Sequence, residues 1–128
     1  MVTGGKESDS RNSVEILHGN GTHFCTLKDL PLQTYFHTQI NGNSTVCGGA
    51  LDGTSETCQS FQSGNWTTSP PLHSKRINAV SWKTHVTLES PSIIMGGYYN
   101  PTTAEILEDG QYVPFTSNLT YPIDRLKL

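Results

Sequence analysis

Three glycine pairs, Gly4-Gly5, Gly48-Gly49 and Gly96-Gly97, recur at intervals of 44 and 48 residues, and each closes a short β-prone run. The runs are Met1-Val2-Thr3, Ser44-Thr45-Val46-Cys47 and Ser92-Ile93-Ile94-Met95. A lone pair of this kind is an ordinary turn, because glycine reaches left-handed backbone without steric cost. Three pairs in register demand a repeated supersecondary unit, provided the sequence after each pair repeats as well.

It does. Each pair is followed by a polar loop and then a strand whose apolar positions correspond: Val14 and Leu17, Cys58 and Phe61, Ala104 and Leu107. A glycine-bearing turn comes next, with Gly19 and Gly21, Gly64, and Gly110. An aromatic residue then opens another strand in every copy: Phe24, Trp66 and Tyr112. Leu30, Leu72 and Leu119 follow, with Pro31, Pro71 and Pro122 nearby, where a missing N–H suits a strand that ends at a sheet edge. Only 34% of the chain is hydrophobic, and no segment sustains a helical period. Ser13 to Leu17 and Thr103 to Glu108 are too short for independent helices and read as strands. The spacing fits four-stranded blades of a β-propeller, for which about 40 to 50 residues per blade is usual.

The order of apolar strand, diglycine, loop, short strand, turn, aromatic strand and Pro/Leu exit resembles the kelch repeat. The likeness is clearest in the middle copy, where Val46-Cys47-Gly48-Gly49, Trp66 and Arg76 fall where kelch repeats place an apolar strand, diglycine, Trp and Arg. It is also similar to extracellular invertebrate kelch-containing proteins, in which a Cys-Gly-Gly strand is followed by a second cysteine and a Trp. Phe24 and Tyr112 replace Trp in the flanking copies, and Thr34 is the nearest counterpart of Arg76 in the first. The resemblance implies an all-β, incomplete kelch-type propeller of about three four-stranded antiparallel blades, with the large aromatics filling space between them. The units are 1–34, lacking an inner strand, 35–80 and 81–121, with 122–128 beginning a further blade. Tyr35 to Ile40 supplies the inner strand of the second unit, and Ile77 to Trp82, extended by His85 to Leu88, that of the third. Propellers close with four to eight blades, so a fragment of a larger protein is expected. The opening residues read as the interior of a strand, and they lack the basic and apolar regions of a signal peptide.

Three cysteines, Cys25, Cys47 and Cys58, allow at most one internal disulfide. Cys47 and Cys58 lie on successive strands, so an antiparallel hairpin places them opposite one another for a disulfide; the alternative is two small core thiols. Asn20, Asn43, Asn65 and Asn118 each open an Asn-x-Ser/Thr triplet and are candidate glycosylation sites, which points with the disulfide to a secreted or extracellular protein.

The net charge of −3 and scattered basic residues provide no footprint for nucleic acid. No apolar run approaches the roughly 20 residues of a membrane span. His18, His23, His37, His73 and His85 show no metal-ligand spacing, and neither a nucleophile elbow, a phosphate-binding glycine loop nor a carboxylate pair is present. Glu15, Glu105 and Glu108 fit strand faces and turns. No catalytic residue, metal or cofactor is therefore expected, and the leading expectation is a non-catalytic module whose loops bind a protein or a glycan. Three alternatives remain: part of a galactose-oxidase-like copper enzyme, an intracellular kelch adaptor, and a fragment with no function of its own.

Overall fold

The computed structural model describes residues 2–3, 13–17, 21, 24–40, 44–50, 53, 55–83 and 91–123. Gly4, Gly5, Asn20, Asn43, the expected extension His85 to Leu88, and the last five residues of the expected further blade lie outside them. The described residues contain strands, turns and bends with no helix.

Among the described residues eleven strands form three antiparallel sheets, each from consecutive strands. The first sheet has three: β1 (Val2–Thr3), β2 (Val14–Leu17) and β3 (Phe24–Thr26). The second has four: β4 (Thr38–Ile40), β5 (Thr45–Cys47), β6 (Cys58–Gln62) and β7 (Asn65–Ser69). The third also has four: β8 (Val80–Lys83), β9 (Ser92–Met95), β10 (Ala104–Glu108) and β11 (Gln111–Pro114). None of the sheets is closed.

Register repeats from sheet to sheet. Thr3 opposes Val14, Cys47 opposes Cys58 and Met95 opposes Ala104, so the residue before each glycine pair meets the first residue of the next strand. Leu17 opposes Phe24, Phe61 opposes Trp66 and Leu107 opposes Tyr112. Two of the hairpins close on Ser63-Gly64 (φ 49° and 81°) and Asp109-Gly110 (φ 47° and 77°). Two successive positive φ values are what a type I′ turn requires, and its twist matches that of the flanking strands.

The inner strands begin three residues later than the sequence suggests, at Thr38 and Val80 and not at Tyr35 and Ile77. Phe36 (φ 55°) and Asn78 (φ 59°) interrupt the extended backbone at equivalent positions. The residues before each strand instead bond sideways: Ala50 N–H donates to Tyr35 O (2.9 Å), Asn78 N–H to Phe36 O (2.6 Å) and Tyr98 N–H to Ile77 O (3.0 Å).

The sheets pack face to face, because alternate residues of a strand point to opposite faces. Val14, Leu30, Val46 and Trp66, flanked by Leu27 and Phe61, fill the space between the first and second sheets. Ile40, Cys47, Cys58, Leu72, Ala79, Ile94 and Tyr112, flanked by Leu107, fill that between the second and third. Neighbouring Val46 and Cys47 thus serve two different cores. Inner strands β4 and β8 are tied by Thr38 Oγ1 donating to Ala79 O (2.8 Å) and Ser81 Oγ donating to Gln39 O (2.7 Å).

Candidate functional site

The second and third glycine pairs, Gly48-Gly49 and Gly96-Gly97, sit where the chain returning from the outer strand crosses the end of the sheet. Gly49 N–H donates to Arg76 O (3.0 Å), and the equivalent Gly97 N–H donates to Ile123 O (2.7 Å). All four glycines have left-handed backbone, and the approach is too close for a side chain: a Cβ on Gly49 would overlap Thr34 Oγ1, and one on Gly96 would overlap Ile123.

The same crossing joins one sheet to the next. Thr34 Oγ1 donates to Gly48 O (3.1 Å), and Arg76 Nη1 donates to Gly96 O (2.7 Å), so Thr34 and Arg76 perform one task at successive junctions. Arg76 reaches further. Its Nε donates to Glu105 Oε1 at 2.6 Å, Nη1 also reaches Thr103 O (3.1 Å), and Nη2 donates to Thr103 Oγ1 (3.1 Å). Glu105 Oε2 accepts the backbone N–H of His73 (2.6 Å), so the buried pair is surrounded by partners for both charges.

Gln59 holds the slot of Glu105 one sheet earlier. Its Oε1 accepts from Leu32 N–H (3.0 Å) and its Nε2 donates to Leu32 O (3.3 Å). Sequence reasoning placed Glu105 among strand-face carboxylates; the structure buries it to 1% exposure while Glu15 and Glu108 stay exposed. The signal was available in Arg76, an arginine in the slot occupied by neutral Thr34, which needs a counter-charge once buried.

Cys47 and Cys58 form a disulfide with Cα atoms 4.2 Å apart, and Cys25 is a free, half-buried thiol. Trp66 Nε1 donates to Lys28 O (2.7 Å), which satisfies the buried indole. Tyr112 takes the equivalent place at the next junction, with its hydroxyl 3.8 Å from Cys47 Sγ. Burial, helped by the charge of Glu105, pushes the Tyr112 phenol well above its usual pKa. Phe24 opens β3, opposite Leu17.

Tyrosine is smaller than tryptophan, and here a cleft of about 440 Å³ remains, lined by Pro70, Pro71, Leu72, His73, Gly110, Gln111 and Tyr112. At the preceding junction the corresponding region is bridged by the Trp66 indole and by Lys28 Nζ donating to Asn65 Oδ1 (3.2 Å).

Exposed aromatics lie elsewhere: Trp82 on β8, Phe115 just after β11, and four more on loops near the second and third glycine pairs. Phe36, Tyr98, Tyr99 and Tyr121 are exposed, and the Tyr98 and Tyr99 rings meet edge to face at 5.3 Å. The N–H groups of Asn78, Tyr98 and Gly97 donate to Phe36 O, Ile77 O and Ile123 O respectively, and these lateral bonds tie the loops into one rim. The Tyr35 and Phe36 rings meet edge to face at 5.2 Å. His37 lies next to this pair, and burial holds its pKa below the usual histidine value. Of the sequons, Asn65 and Asn118 are exposed.

Among the described residues no three His, Cys, Asp or Glu side chains assemble as a metal site, and no helix is long and apolar enough to cross a membrane. No protein-family model and no curated protein matches this chain.

Proposed function

We propose that the chain is part of a kelch-type β-propeller, with units 1–34, 35–80, 81–121 and the start of another from 122. It acts as a non-catalytic protein- or glycan-binding module of a larger secreted protein. The observation that carries the binding reading is the rim of Phe36, Tyr98, Tyr99 and Tyr121, aromatic rings left in solvent on loops braced by backbone hydrogen bonds. Exposed aromatics on a rigid frame give contact area at little entropic cost, and this suits the faces of sugars as well as protein surfaces. The recurring register and the stacked meanders support the propeller reading. The Cys47–Cys58 disulfide and the exposed Asn65 and Asn118 favour an extracellular setting.

The test is to secrete the chain from eukaryotic cells and screen it against arrayed glycans and extracellular proteins. Mass spectrometry then reads glycan occupancy at Asn65 and Asn118. A bound partner lost in the Tyr98→Ala, Tyr99→Ala double variant at unchanged melting temperature is expected. Binding indifferent to those changes, or stoichiometric copper with oxidase turnover, overturns the reading.

A further inference from the structure

We infer that the cleft beside Tyr112 receives a lysine side chain from a partner protein, with Gln111 and Glu108 taking its ammonium group. This site is separate from the aromatic rim, and its occupant is read from what fills the same place one junction earlier.

The cleft has a counterpart between the first and second sheets. Counting from the equivalent aromatics Phe24, Trp66 and Tyr112, Pro70 and Pro71 stand where Lys28 and Asp29 stand, and Gly110-Gln111 where Gly64-Asn65 stand. At the earlier junction Lys28 holds both residues at the start of β7: its carbonyl accepts the Trp66 indole N–H (2.7 Å), and its Nζ donates to Asn65 Oδ1 (3.2 Å). The protein thus seats one of its own lysines between the exit segment of one sheet and the outer hairpin of the next. Pro70 has no side-chain donor with which to repeat that bridge, and Tyr112 lacks the second ring of an indole. The opening that results, about 440 Å³, falls within the range of about 300 to 1,000 Å³ usual for ligand pockets.

The charge around the opening differs in the direction a cation needs. Gln111 directly opposes Glu108 across the β10–β11 hairpin, which sets their Cβ atoms about 4.5 to 5.5 Å apart, and Asp109 lies in the turn between them. Their equivalents, Gln62 opposite Asn65 with Ser63 in the turn, are neutral. The hairpin tip served by a lysine therefore carries no carboxylate, and the tip without a lysine carries two. A lysine entering from a partner packs its methylene stem on Pro70, Pro71 and Tyr112 and keeps its ammonium at the solvent edge. There the Gln111 amide oxygen and the Glu108 carboxylate accept from it. A further sheet stacked on the third does not close this site: Gln62 and Asn65 stay exposed although the third sheet is stacked on the second.

The test follows backbone amide resonances of the whole chain during titration with Nα-acetyl-lysine methylamide and, in parallel, with its norleucine analogue, which keeps the stem and lacks the amine. Saturable shifts at Gly110, Gln111 and Tyr112 with a millimolar Kd for the lysine compound are expected, about tenfold tighter than for norleucine. Glu108→Gln should raise that Kd about two- to fivefold, the usual worth of an exposed charge partner. Pro70→Lys returns the protein's own lysine to the slot and should abolish binding, with a cooperative thermal melt showing that the variant folds. The Tyr98→Ala, Tyr99→Ala chain should titrate like the wild type, so this site and the rim stand or fall separately. Lysine that gives no saturable shift, norleucine that binds equally well, or a Kd unmoved by Glu108→Gln or by folded Pro70→Lys overturns the proposal.

Discussion

Arg76 and Glu105 form an ion pair at 2.6 Å between the second and third sheets, with side chains only 2% and 1% exposed. Two buried charges gain little over a well-packed apolar pair, but removing one leaves the other stranded. Glu105→Ala or Arg76→Met alone should cost about 3 to 5 kcal/mol by denaturant unfolding. Arg76→Met with Glu105→Leu should recover much of that loss. Additive losses in the double variant would show that the hydrogen bonds to Gly96 O and Thr103 matter more than the charge balance.

The disulfide yields a second expectation. Cys47 and Cys58 are 11 residues apart, and closing a loop of this size restrains the unfolded chain by about 3 kcal/mol. Thiol titration of the unfolded, unreduced chain should count Cys25 alone, and reduction should lower the melting temperature. Three reactive thiols would mean that the bridge does not form.

Most of the strand framework was legible because each sheet spells its own register: a β-prone run ending in two glycines, an apolar strand, a turn with glycine, an aromatic. The disulfide followed from the hairpin that puts Cys47 opposite Cys58. Less visible was the start of the inner strands, where Phe36 and Asn78 take left-handed backbone although neither is glycine. Lateral bonds to neighbouring loops set that conformation, and they depend on contacts between sheets that no local pattern encodes. Glu105 was misjudged for a related reason: alternation along β10 assigns a face, but only the stacking decides whether that face meets water. The aromatic rim escaped notice because Phe36, the Tyr98-Tyr99 pair and Tyr121 are far apart in sequence, and their loops are linked only by lateral bonds between sheets.

His37 supplies a pH dependence. Burial lowers its pKa in the folded chain, so the unfolded state binds the proton more readily. Stability from this residue is present above the ordinary histidine pKa near 6.5 and declines as pH falls from there toward the lowered folded value. Urea midpoints should therefore drop between roughly pH 7 and pH 5, and His37→Gln should flatten that slope. An unchanged slope in the variant would assign the effect to other groups.

The cleft beside Tyr112 permits a test of the repeat itself. At the preceding junction the equivalent Trp66 is 8% exposed and donates its indole N–H to Lys28 O. The position corresponding to Lys28 is Pro70, which lines the cleft. Tyr112→Trp should extend into the cleft, bury more apolar surface and stabilise the chain by about 1 kcal/mol. Trp66→Tyr should do the reverse, leaving Lys28 O without its donor and opening a second cleft, at a cost of about 1 to 3 kcal/mol. If the junctions are equivalent, the two changes have opposite signs in thermal melts. Destabilisation by Tyr112→Trp would mean that the third sheet packs on the second in a geometry the first junction does not share.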